Sequence, residues 1–447
     1  MATRFWVGGT GTWSSSNTTN WSATTGGAGG ASVPTTADTV IFDPLSGTGT
    51  VTTDATTPNC GAITASSGGI ILLRLGAALT STGVFNITSG TLDLQSYTLT
   101  CTTFGSSVSV IRTIAFGTGN IILTGTGTVW NTATTTNLTV TGTPVINVVY
   151  TGATAVTVTP GSIAGISGLF NFNFTGGTYA LTMSSTSYVN DLNFTGFAGN
   201  FVNTTRRIYG NLICSTGMTW GSGGLSTTFA ATSGTKTITS NSKTLDSPIT
   251  FGVTSGTATW VLQDDLTVGS SRSTSLTVGT LDLNDKNFFT GVFITTGTLV
   301  RSLLMKSGTL SLTGTGTVWN IASAANFTLT PATSKIALTD TSVTARTFAG
   351  GNKTYYDLEI GGVTGASTLT FTGNNTFNTI SSTKTVAHTI LFSAGTTTTV
   401  ANWTVTGTAG NVVTINSVTA AGHNLVKTGG GDISVDYMNI TWSNASP

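Results

Sequence analysis

Residues 88–140 read TSGTLDL, then a lone Arg112, LTGTGTVWN at 123–131 and NLTV at 137–140. Residues 277–329 carry GTLDL at 279–283, Arg301, LTGTGTVWN at 312–320 and NFTL at 326–329. The order is the same and the offset is constant at 189, from Gly90 to Gly279, Arg112 to Arg301, Trp130 to Trp319 and Asn137 to Asn326. A fixed offset over about fifty residues marks a duplicated structural unit rather than chance in a biased composition. A chain of 447 residues exceeds one ordinary globular core, and the duplication favours an array that grows along one axis.

The alphabet agrees. Only 16 Lys and Arg and 15 Asp and Glu occur, while Thr, Ser and Gly fill nearly every block, a composition biased toward strands and poor in helix formers. Val, Ile, Leu and Phe recur throughout, which separates the chain from a disordered Gly/Ser linker. In 90–95, GTLDLQ, leucines occupy one face. In 170–174, FNFNF, the same period of two puts three rings together. Punctuators such as Gly176-Gly177, Ser255-Gly256 and Gly373-Asn374-Asn375 suit tight turns, and no segment shows a capped 3.6-residue period. Many short strands fit a string of β-sandwiches, a barrel or a β-solenoid. Small residues at corners with stacked rows of Thr, Asn and Val favour the solenoid, a single-chain parallel β-helix, with tandem β-sandwiches as the alternative. Coils of about 20–25 residues stacked at about 4.8 Å predict a rod of roughly 80–100 Å. The organisation read from the sequence is a Trp-rich N-terminal cap or attachment segment at 1–45, solenoid modules at 46–240 and 241–430, and a C-terminal strand segment at 431–447.

Trp6, Trp13 and Trp21 crowd the first 21 residues. A solenoid end exposes an unpaired edge and an open core, so clustered indoles read as its cover, with a sugar-stacking platform as the functional alternative. Trp130 and Trp319 repeat at one spot of the duplicated unit and read as packing. Arg112 and Arg301 read as donors to neighbouring turn carbonyls, against a carboxylate or glycan contact.

A net charge of +1 provides no field for gathering phosphates, and the one adjacent basic pair, Arg206-Arg207, reads as a solvated turn, so nucleic acid is not an expected partner. With so few ionisable groups, stability is expected to vary little between mildly acidic and mildly basic buffer. Cys60, Cys101 and Cys214 are odd in number and far apart and read as buried reduced thiols. The opening MATRFWVGGTGTW lacks the apolar core of a secretory signal, and no window approaches a membrane-spanning length. The expectation is a protein made in a cytoplasm, without membrane insertion.

No phosphate loop, H-E-x-x-H or nucleophile elbow is present, and His388 and His423 have no partner at a ligand spacing, so no metal, cofactor or catalytic residue is assigned. Glycoside hydrolysis by paired carboxylates is weighed at Asp264 with Asp265, Asp282 with Asp285, and Asp357 with Glu359. Asp264 and Asp265, read as strand neighbours, point to opposite faces. Asp357 and Glu359 share a face, which Leu358 and Ile360 mark as the solvent side of an ordinary strand. The Asn-X-Ser/Thr triplets at Asn86, Asn173 and Asn439 follow from threonine content.

FWVGGTGTW, NWSA, GGAGGASVP and ADTVIFD near the start, the internal GTLDL and LTGTGTVWN, TFAGGNKTYYDLEI at 347–360 and the closing GGGDISVDYMNITWSNA together touch most of the chain. They resemble a group of phage-encoded, Thr/Gly-rich β-helical virion proteins of the tail fibre, spike or decoration type. The resemblance implies a non-enzymatic virion component exposed on the particle. It also implies other virion proteins as partners, a homotrimer and adhesion to a host-surface glycan, and it carries no site residue with it. A polysaccharide-degrading tailspike and a bacterial surface adhesin are the alternatives.

Overall fold

The computed structural model describes residues 1–66, 71–161, 170–184, 187–202, 204–321 and 323–446. The chain is all-β, 47% strand and 1% helical, and winds as a β-solenoid of about 17 turns with parallel sheets. It divides into two compact units, Met1–Gly221 and Ser222–Pro447, with one copy of the duplication in each; the division falls before the 240/241 boundary read from the sequence.

In the first unit a coil runs through Gly90–Asp93, Thr98–Cys101 and Thr103–Gly105, and the next coil lays Arg112–Ala115, Asn120–Leu123 and Gly127–Asn131 in parallel on those three strands. The second unit repeats this with Gly279–Asp282, Phe288–Thr290 and Val292–Ile294 beneath Arg301–Leu304, Thr309–Leu312 and Gly316–Asn320. Because strand residues alternate, each sheet sends one set inward: Leu92, Ile114 and Val140 form one buried row, and Phe85, Phe104 and Trp130 stack with ring centroids 5.6 and 4.6 Å apart. Each such ring removed from water stabilises the core by about 1.5–3 kcal/mol. The other set faces out as hydroxyl rows, Thr91, Thr113 and Thr139 in the first unit and Thr235, Thr259, Thr280, Ser302 and Thr328 in the second.

Coil length is irregular, and the irregularity itself is duplicated. Phe85, Phe104, Trp130 and Val158 follow one another at 19, 26 and 28 residues, and Thr274, Phe293, Trp319 and Phe348 at 19, 26 and 29. Both GTVWN strands carry a register shift just before the tryptophan, so Val129 with Trp130, and Val318 with Trp319, both point inward, which strict alternation forbids. Corners turn through left-handed residues at equivalent places, among them Asn137 and Asn326 at φ 58° and 54°, where an Asn tolerates the conformation.

At the N-terminus Trp6, Trp13 and Trp21 are fully buried, packed edge to face at 5.1 and 5.2 Å and all against Phe42. The short strand Trp21–Ser22 pairs antiparallel with Thr3–Trp6 and closes the edge of its sheet. The three rings pack into the interior with no indole face exposed, so they are not the sugar platform weighed as the alternative. Late in the second unit the strands lengthen to eight residues at Asn375–Ser382 and Thr397–Thr404. Among the described residues no helix is long and apolar enough to cross a membrane.

Candidate functional site

Arg112 is fully buried and faces no carboxylate. Its Nε donates to Ser106 O and Oγ at 3.1 and 2.8 Å, Nη1 to Val110 O and Thr136 O at 2.9 Å each, and Nη2 to Ser106 O at 2.8 Å and to Thr134 O. Arg301 repeats every partner at the same offset: Thr295 Oγ1 and O at 2.6 and 3.1 Å, Leu299 O at 2.7 Å, Ala325 O at 3.0 Å and Ser323 O at 2.7 Å. Each guanidinium therefore ties the loop before its own strand to the corner of the next coil, the turn-carbonyl role read from the sequence.

Arg206 corrects the reading of its pair. It is fully buried in the strand Arg206–Ile208, with its guanidinium 4.1 Å from the Phe201 ring centroid and 4.9 Å from that of Trp220, and donates to Thr204 O and Val202 O. Arg207 faces out over Tyr188. Strand alternation, not a turn, separates the two. Cys60, Cys101 and Cys214 are buried and stand outside any disulfide, and burial pushes the Cys60 thiol up to about 12.

The carboxylate pairs are separated by their partners. Asp264 and Asp265 lie in the turn after Thr259–Leu262, not on a strand, and they bind opposite neighbours: Asp264 accepts the Ser240 and Asn241 N–H groups of the preceding coil, and Asp265 accepts Asn287 N at 2.8 Å and Nδ2 at 3.0 Å in the following one. Asn287 in turn accepts Thr309 N at 3.1 Å, so the corners form a ladder. Asp282 pairs with Lys306 at 3.2 Å, and Asp285 accepts Ser307 N and Oγ at 3.1 and 2.8 Å. Asp357 and Glu359 do share the outward face of Asp357–Ile360, where Asp357 accepts Asn378 Nδ2 at 2.9 Å and Glu359 pairs with Lys335 at 2.8 Å.

Asn173 belongs to a similar ladder, donating to Asn147 at 2.8 Å, which donates to Asn120 at 3.3 Å. Asn86 lies half-buried on Val84–Ile87, and Asn439 is exposed.

The histidines stand apart from each other. His388 Nδ1 lies 2.9 Å from Val386 O, and the fully buried His423 sits between Ser417 Oγ at 2.8 Å and Ser443 Oγ at 3.0 Å, stacked on Phe392. Burial lowers both pKa values. Among the described residues no group of three or more His, Cys, Asp or Glu gathers at metal-binding distance. Lys384, also buried, donates to Gly362 O and Gly365 O at 2.9 and 2.6 Å, and burial, then the charge of Arg346, brings its pKa down to about 8.

One feature distinguishes the two copies. Beside Asp93 a cleft of about 460 Å3 opens at a corner of the first unit, lined by Gln95, Ser96, Gly117, Thr118 and Thr141. In the second unit Lys306 stands where Gly117 does, Leu304 where Ala115 does and Pro331 where Gly142 does. Asp93 takes its cation from the coil before, Arg74 Nε at 3.2 Å, whereas Asp282, whose register partner in the coil before is Val261 where that of Asp93 is Arg74, takes Lys306 from the coil after. No single residue announces this exchange; it becomes visible when the coils are stacked and the copies superposed by their offset.

Comparison with family models, curated proteins and solved structures finds no match to this chain.

Proposed function

We propose that the protein is a non-enzymatic structural component of a bacteriophage particle, a β-solenoid fibre, spike or decoration protein that is exposed on the virion and adheres to a host surface. The observation that carries this reading is where the charged side chains go. Asp264, Asp265 and Asp285 bind backbone N–H groups of adjoining coils, and the buried arginines bind carbonyls, so the ionisable groups serve the stack. Hydroxyl rows on the outward faces give an uncharged, hydrated exterior suited to display, and the resemblance of the sequence phrases to phage-encoded Thr/Gly-rich proteins supports display on a virion, among other virion proteins.

The test is imaging of particles made with and without the protein. The reading predicts loss of a projecting density and of the corresponding mass; particles unchanged in both would contradict it. A tailspike that cleaves polysaccharide is the second reading, favoured by the shared face of Asp357 and Glu359. It predicts oligosaccharide release from host envelope glycans that Asp357→Asn with Glu359→Gln abolishes.

A further inference from the structure

We propose that the cleft beside Asp93 binds the primary ammonium of an amino sugar. Such a site would act wherever the protein is displayed. The duplicated frame shows what this corner accepts: in the second copy an ammonium, Lys306 Nζ, lies 3.2 Å from Asp282 Oδ2 and donates to Asn284 Oδ1 at 3.1 Å. Asp93 and Gln95 are the same two positions in the first copy, with the same acceptor types. Gly117 and Lys306 share a left-handed backbone, φ 56° and 53°, but a Cβ at Gly117 would lie 2.0 Å from the Gln95 carbonyl oxygen, so the first corner is closed more tightly around a position that carries no lysine stem.

What remains is a cleft within the size range of small-ligand sites, with the hydroxyl-bearing Ser96, Thr118 and Thr141 in the same lining as Asp93. Such hydroxyls suit a ligand that carries hydroxyls of its own as well as a positive charge, which favours a sugar amine over a bare alkylammonium. The Asp93 carboxylate already accepts Gln95 N at 3.1 Å and Gln95 Nε2, and meets Arg74 Nε at 3.2 Å. Arg74 is nearly half exposed, so it is a mobile competitor that a second cation displaces or joins. The second copy, with Val261 at that register position, lacks the competitor and holds its ammonium.

The experiment is titration of the full chain with glucosamine, N-acetylglucosamine and Nα-acetyl-lysine amide, followed by ligand-observed NMR and calorimetry. The expected result is glucosamine binding that is at least about tenfold tighter than that of N-acetylglucosamine, whose acetyl group removes the charge. Asp93→Asn and Gly117→Lys are expected to abolish it, and Arg74→Gln to tighten it by about three- to tenfold. Asp93→Asn and Arg74→Gln alter neither backbone nor core, so they decide the matter even where Gly117→Lys fails to fold. Glucosamine silent on both the natural chain and Arg74→Gln, equal binding of the acetylated sugar, or binding unchanged in Asp93→Asn would overturn the proposal. Binding of the lysine amide alone would also overturn it, in favour of a partner protein's lysine.

Discussion

The residues that matter most for stability are the buried arginines. Replacing Arg301 by Ala removes the donors to four carbonyls, of Thr295, Leu299, Ser323 and Ala325, the first of them buried, and empties the space of a fully buried side chain. We expect a loss of about 3–5 kcal/mol in denaturant unfolding of the second unit, whereas Arg74→Ala, whose ion pair is exposed, should cost under about 1 kcal/mol. Similar losses for both would remove the distinction. The buried bases refine the expectation of weak pH dependence. His388 and His423 titrate below their ordinary value when folded, so the unfolded chain binds more protons as pH falls below about 6.5 and stability declines there. Lys384, at about 8 when folded and near 10.4 when unfolded, adds stability as pH rises between those values. Melting temperature measured against pH should be flat from about 6.5 to 8, fall on the acid side and gain on the alkaline side; His423→Gln should blunt the acid limb. Arg112 and Arg301 were legible because duplication exposed them. Arg206 was not, since a basic pair says nothing about which member a neighbouring coil will cover.

The cap and the corners are the elements on which the coils depend. Trp13 is fully buried against Trp21 and Phe42, and Trp13→Ala should cost about 3–5 kcal/mol, with faster hydrogen exchange concentrated in the first coils. Uniform acceleration along the chain would argue against a local cover. Asp265→Ala should cost only about 1 kcal/mol, because it removes one link of a corner ladder whose neighbours persist. Strand alternation in GTLDL and FNFNF was readable, as was the crowding of three tryptophans at one end. The bulge in GTVWN was not: alternation assigns Val129 and Trp130 to opposite faces, and only the register of the strand beside them puts both inside. Asp264 and Asp265 were likewise misplaced on a strand, because the corner that ends Thr259–Leu262 carries neither Gly nor Pro to mark it.

For the molecule as a whole, the fixed offset of 189 made the solenoid readable, and each unit contains one copy of it. Coil lengths of 19 to 29 residues kept the phase of individual coils out of reach, since no constant period runs through them. The cleft beside Asp93 was hidden for a related reason: Arg74, Gly117, Val261 and Lys306 become an exchange of cations only when successive coils are laid on one another. Everything rests on that stacking, and paired cysteines test it most directly. Thr280 and Ser302 are partners on the outward faces of adjacent coils, and Thr328 lies one coil further along the same row. At a coil spacing of about 4.8 Å, the first pair is within disulfide reach and Thr280 and Thr328, about 10 Å apart, are not. The account predicts that mild oxidation crosslinks Thr280→Cys with Ser302→Cys, read by mass spectrometry, and leaves Thr280→Cys with Thr328→Cys open; equal crosslinking of both pairs, or of neither, would contradict it.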